Sequence, residues 1–353
     1  MNGTKNKSLR GVASFHANLR SAVSAQKPME IAPMKTGRAL LLLALATALP
    51  EAQAQSGKWP DKPVRVVVSF TPGGTADVVA RMVAPRLSEE FGQQFIVDNR
   101  AGAGGAIGTE IVVRANPDGY TILVGASSYA SNAALYKLPY DPITGISPVA
   151  VITRGPFIVT VHPSLKANNI KEFIELARAK PGGLSYGSPG TGSVPHLATE
   201  HLLQMTNTNM THVPYKGDVP AIVDLIGGQI QLYFGGALVS LPQINAGKLR
   251  GLAVTTEQRS PVMPDLPAVN ELVPGYSAFG WHAMWAPAGT PREIVARLNQ
   301  SIARILKLPE VQERLRANGV EAAHNTPEEF SRLIARDIAK WTKVVKVGNI
   351  KVD

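Results

Sequence analysis

The chain of 353 residues contains no cysteine, few aromatics (6%), no block of like charges and no apolar run of membrane-spanning length. Without cysteine there is no disulfide, no thiolate metal site and no cysteine nucleophile. A chain that is 44% hydrophobic can bury a large core without such staples, so this absence does not argue against export. The apolar run Ala39 to Leu49 falls short of the roughly 20 residues that a bilayer crossing needs. The net charge is +10, from 36 basic and 26 acidic residues; residues 1–54 hold seven and two of these, leaving 29 and 24. The charges are scattered with little aromatic interleaving, so nucleic acid is not an expected partner. The surplus reads either as a mild field that recruits small anions or as an ordinary solvated surface.

Residues 1–54 are expected to be an N-terminal extension plus an export signal over 34–54. Met34-Lys35-Thr36-Gly37-Arg38 is a basic lead, Ala39 to Leu49 the apolar stretch, and Ala52-Gln53-Ala54 an A-x-A cleavage site. The competing reading is a surface-docked helix. Residues 1–33 have no periodicity, and Met34 is a natural start for the signal.

Beyond it, strand and helix alternate. Val64 to Phe70 is a β-branched run that enters Thr71-Pro72-Gly73-Gly74, and a helix from Ala76 to Phe91 follows. Glycine leaves backbone N–H groups accessible, and the first-turn donors of a helix have no partner within it. This arrangement predicts an anion cradle at Pro72, Gly73 and Gly74. A strand over 94–97, a loop from Gly102 to Gly108, a helix over 106–115 and a strand over 120–124 continue the alternation, which implies a parallel sheet covered by helices. Val149–Ile152 and Phe157–Val161, split by Arg154-Gly155-Pro156, suit a two-part strand crossing between lobes. Tyr186-Gly187-Ser188-Pro189-Gly190-Thr191-Gly192-Ser193 repeats the strand–glycine–helix design, with Ser193 as N-cap and Pro195 in the first turn. A segment over 281–287 and helices over 292–306, 309–318 and 327–345 end the chain. Two glycine-rich helix starts facing across a cleft would make a clamp.

Enzyme signatures are missing. His196-Leu197-Ala198-Thr199-Glu200-His201 lacks the i, i+4 histidine pair of a zinc helix, and Ser188 is not in G-x-S-x-G because position 186 is tyrosine. No phosphate-binding G-x-x-x-x-G-K-[ST] occurs, and the Gly102–Gly108 loop misplaces the third glycine of a dinucleotide turn. No cofactor is expected. Single residues stay open: Asp77 serves the ligand or only the helix dipole, and His196 donates to a carboxylate or packs against its loop. Ser127, Ser128 and Asn132 follow a strand's C-terminal end, where ligands of open α/β sheets sit. Tyr215 and Lys216 precede a helix, at a ligand or in solvent.

Taken together, these stretches resemble the Bug (TctC-like) family, the periplasmic solute receptors of tripartite tricarboxylate transporters. The markers are Trp59-Pro60-Asp61-Lys62-Pro63-Val64-Arg65, Pro72-Gly73-Gly74 with Asp77, Asn99 to Gly105, Pro117-Asp118-Gly119-Tyr120-Thr121, Tyr186-Gly187-Ser188 with Gly190, Gly192 and His196, Val213 to Gly217, Ala286 to Pro291 and Pro327-Glu328-Glu329-Phe330. The resemblance implies an α/β, two-lobed (Venus flytrap) fold with two crossing hinge strands: lobe 1 over 60–155 and 281–353, lobe 2 over 156–280. It implies a monomeric receptor that captures a small carboxylate, a dicarboxylate or aromatic acid, for membrane permease subunits and performs no chemistry. A receptor feeding a sensor, or an exported α/β enzyme, are the alternatives. By the same resemblance the ligand is held by the Phe70–Gly74 turn with Asp77, by Ser127 with Asn132, and by Ser188, Gly190, Thr191, Gly192 and Ser193 with His196. Where the family often has an acidic residue, this chain has Gly235 after Tyr233-Phe234, which favours a plain carboxylate over an amino acid.

Overall fold

The computed structural model describes residues 59–351; the expected N-terminal extension and export signal over 1–54 lie outside the described residues. β1 (Val64–Val68) is buried apart from Arg65 and feeds the 70–74 turn and α1 (Thr75–Phe91), which turns Val79, Val83 and Leu87 inward. β2 (Phe95–Asn99) and β3 (Thr121–Ala126) flank β1 in parallel, with α2 (Ala106–Val113) between them in sequence. A short helix, α3 (Ser128–Leu135), leaves β3 at its C-terminal end.

β4 (Ile146–Val161) is one continuous 16-residue strand that contains both parts of the expected two-part strand, joined through Arg154-Gly155-Pro156. Its first part pairs antiparallel with a later strand through Gly155 and Pro156, and this pairing carries the chain across the break. From Phe157 onward it belongs to a second sheet. That half contains α4 (Ile170–Ala179), β5 (Ser185–Ser188), α5 (Val194–Thr206), β6 (Thr211–Pro214), α6 (Asp218–Ile226), β7 (Leu232–Gly236), α7 (Ala237–Asn245) and β8 (Arg250–Val254). β6, β5 and β7 lie parallel, and β7 and β8 pair antiparallel with β4. β9 (Phe279–Pro287) returns the chain between β3 and β4 of the first sheet. α8 (Arg292–Ile305), α9 (Pro309–Ala317), β10 (Glu321–Ala322) and α10 (Pro327–Gly348) complete it.

Thr255 ties the two crossings together. Phe157 N–H donates to Thr255 Oγ1 (2.9 Å), Thr255 N–H to Phe157 O (3.0 Å), and Ala278 N–H to Thr255 O (2.7 Å). Valines of β1 with Val79, Val83 and Leu87 form the core against the first sheet, while Phe173, Tyr186, Leu197, Leu202 and Phe234 form that of the second. α10 serves both: Phe330 and Ile334 pack with Trp281 and Trp285, whereas Trp341 and Val344 enter the second core. This helix thus packs against both cores.

Candidate functional site

The Phe70–Gly74 turn is shaped from behind by Asp77. Gly73 has φ of +77°, and its N–H donates to Asp77 Oδ2 (2.9 Å). Asn99 Nδ2 donates both to Asp77 Oδ1 (2.9 Å) and to Phe70 O (3.0 Å), and Arg81 pairs with the same carboxylate. Burial alone would raise the Asp77 carboxyl; the Arg81, Gly73 and Asn99 donors together hold it below its ordinary value. Asp77 is thus saturated by its own lobe. Pro72 and Gly73 are exposed at the lip, and Gly74 is the N-cap of α1.

The second loop meets the first lobe directly. Ser131 Oγ donates to Gly192 O (2.6 Å), Tyr136 OH to Thr191 O (3.0 Å), and Val194 N–H to Ser128 Oγ (3.3 Å). A Cβ at Gly190 would lie 2.8 Å from Gly104 N, so glycine is required for this approach. Asn132 Nδ2 donates to Gly104 O (3.1 Å), while its Oδ1 is buried without a partner at the seam.

Ser188 and His196 stand behind the loop. Ser188 Oγ, fully buried, lies 2.7 Å from His212 Nε2 and accepts from Gly190 N–H (3.2 Å). His196 Nδ1 accepts from Gly192 N–H (3.3 Å), and the ring stacks on His212 with centroids 4.1 Å apart. Burial, with the neighbouring His212, pushes His196 down to about 3, so it is neutral. Ser193 Oγ caps α5 by accepting from His196 N–H. Tyr215 OH donates to Asp224 (2.6 Å), and Lys216 is exposed.

Between the lobes lies a cavity of about 30 Å³. Of the expected residues its wall contains Phe70, Ser127 and Ser128; the others lie outside it. The rest of the wall was not singled out as ligand-binding from sequence: Thr75, Thr153, Phe157, Asp218, Ala237, Leu238, Trp281 and His282 among them. His282 Nδ1 is 2.9 Å from Thr153 Oγ1, and burial pushes this histidine down to about 4. The strand-end signal at Ser127 and Ser128 was legible. Asp218 was not, because its partner Thr75 is 143 residues away. Gly235 is a packing requirement as well as a missing acid: a Cβ there would lie 1.8 Å from Ser240 Oγ.

Among the described residues no group of three or more His, Cys, Asp and Glu is placed to hold a metal, and no helix is long and apolar enough to cross a membrane. Starts of α1, α3, α5, α6 and α7 converge on the cavity from both sheets, with hydroxyls between them. Helix starts and hydroxyls arranged in this way favour an anion.

Two sheets joined by crossing strands, with helix starts aimed into the seam, define a two-lobed periplasmic-binding-protein fold. Residues 79–350 match the family described as "Tripartite tricarboxylate transporter family receptor" (TctC), and the chain belongs to that family. It is 34% identical over 318 residues to BugT of Bordetella pertussis, covering 89% of this chain and 98% of that protein. A structure of Rpa4515 from R. palustris with adipate superposes with a TM-score of 0.80 at 40% identity, covering 83% of this chain and 99% of that one. MatC from Rhodopseudomonas palustris with bound malate gives 0.78 at 31% identity, over 81% and 100%. The chain is therefore a solute-binding protein and not an enzyme.

Proposed function

We propose that the chain is a periplasmic receptor that captures a small organic carboxylate between two lobes, divided near residues 155 and 280, and delivers it to the permease subunits of a tripartite tricarboxylate transporter. The observation that carries this reading is the convergence of helix N-termini and hydroxyls on one interlobe cavity. Unpaired first-turn N–H groups favour carboxylates there. The relatives bound to adipate and malate, both dicarboxylates, support the same class of cargo. The Phe70–Gly74 turn and the Ser188–Ser193 loop act as the two jaws, with Asp77 and His196 fixing their shapes. Tyr215 and Lys216 border the second jaw.

The test is a thermal-shift screen of the mature receptor against organic acids, sugars and amino acids. A fitting carboxylate raises stability by about 2.7 kcal/mol at a hundredfold excess over Kd. A melting point that no carboxylate moves, while a sugar or a cation does, would sink the reading.

A further inference from the structure

One of the anion positions in the cleft is filled by the protein itself. Asp218, first residue of α6 and only 4% exposed, reaches across the seam to the start of α1. Its Oδ2 accepts from Thr75 N–H (3.0 Å) and Thr75 Oγ1 (3.1 Å), and its Oδ1 accepts from Tyr233 OH (2.5 Å). α1 has Gly74 as its N-cap and no capping side chain of its own, so this carboxylate from the other lobe is its cap. The start of α5 is likewise engaged, by Ser193 Oγ and Ser128 Oγ. α7 differs: it opens after Gly236 with no side-chain cap, and Gly236, Ala237 and Leu238 form part of the cavity wall beside Ser127 and Ser128 of α3. Most of the remaining wall is apolar, with Phe70, Phe157, Trp281 and Val320 in it.

We propose that Asp218 is a specificity-determining residue that blocks the α1 cradle and restricts the cargo to a single carboxylate, seated at the α3 and α7 starts with its apolar body along Phe70, Phe157 and Trp281. This rests on the carboxylate reading above and narrows it. A second carboxylate reaching α1 must expel Asp218, which leaves Tyr233 OH unpaired in a buried site, or lie beside it as a like charge. The ammonium of a 2-amino acid sits beside the seated carboxylate, at the positive ends of α3 and α7, which disfavours it.

Calorimetry with matched pairs tests this: hexanoate against adipate and benzoate against terephthalate, which differ by the second carboxylate alone, with 2-aminohexanoate as a third arm. The natural chain is expected to favour the monoacid of the pair it binds by about tenfold or more. Asp218→Asn, and independently Asp218→Ser, should lower that ratio by at least a comparable factor through a gain in diacid binding. Melting curves check that both variants are folded. A diacid preference in the natural chain, a ratio unchanged in both folded variants, or stronger binding of 2-aminohexanoate than of hexanoate overturns the proposal and leaves carboxylate capture standing. Silence from every acid in all three proteins overturns both.

Discussion

Asp77 is a polar residue whose task is to hold a turn, and substituting it separates shape from charge. Asp77→Asn retains the volume but weakens the acceptor for Gly73 N–H and loses the ion pair with Arg81, whose side chain is 55% exposed. The exposed pair itself contributes little. The weakened backbone bond should cost about 1–2 kcal/mol in urea unfolding, with weaker carboxylate affinity as the turn relaxes. Unchanged affinity at reduced stability would show that the turn does not touch the cargo. The buried histidines give a second residue-scale expectation. His196 sits at about 3 and His282 at about 4, both lowered chiefly by burial from the ordinary 6.5. Below about pH 6.5 the unfolded chain takes up protons that the folded one refuses, so stability falls on acidification down to the folded values. Each histidine contributes a slope of about 1.4 kcal/mol per pH unit in the window from pH 6 to 4. Asp77 acts in a lower window: its depressed carboxyl stabilises above the ordinary value of 3.8, and that stability is lost only below it. Melting temperatures from pH 4 to 7 should therefore rise with pH, less steeply in His282→Gln; a flat profile would contradict the burial of these rings.

At the scale of elements, one hydroxyl adds to the backbone ties at the hinge. Thr255→Val preserves the shape but leaves Phe157 N–H buried without its acceptor. A loss of about 1–3 kcal/mol is expected, with the fold retained, measured by denaturant unfolding of both proteins. The elements legible in the sequence are those with strong local signals: the valines of β1 punctuated by glycine, the N-cap Ser193 before Pro195, the apolar stripes of α8 and α10. α3 escaped because Ser128-Tyr129-Ala130-Ser131-Asn132 shows no apolar stripe; it is held by Tyr129 and Ala130 in an apolar cluster and by polar bonds such as Ser131 Oγ to Gly192 O from the other lobe. β4 read as a strand in two parts because Gly155 and Pro156 are local breakers, and pairing with Gly280 and Phe279 keeps it continuous. The same limit hid Asp218. A first-turn acid looks like a helix-dipole residue, and only the folded chain brings Thr75 to it. Local chemistry thus located both loops, while the wall of the cavity was set by contacts distant in sequence.

At the scale of the whole molecule, size decides how cargo enters. A cavity of about 30 Å³ holds about one or two waters, far less than a six-carbon acid, so the lobes must part to admit one. Parting breaks Thr75–Asp218, Ser131–Gly192 and Tyr136–Thr191 together, since all three span the seam. A covalent staple can test this requirement. A Cβ built on Gly236 lies 3.7 Å from Thr75 Cβ, within the range of about 3.5–4.5 Å that a disulfide bridges, and the backbone there is not in the left-handed region. The chain has no other cysteine to interfere. The double variant Thr75→Cys with Gly236→Cys, oxidised, should bind no carboxylate and should regain binding on addition of a thiol reductant. Reduction supplies its own control for any direct effect of replacing Thr75. If the oxidised protein, with its disulfide verified by mass, bound cargo as tightly as the reduced one, entry would not require the lobes to separate, and the clamp would have to be replaced by a route through the cavity wall.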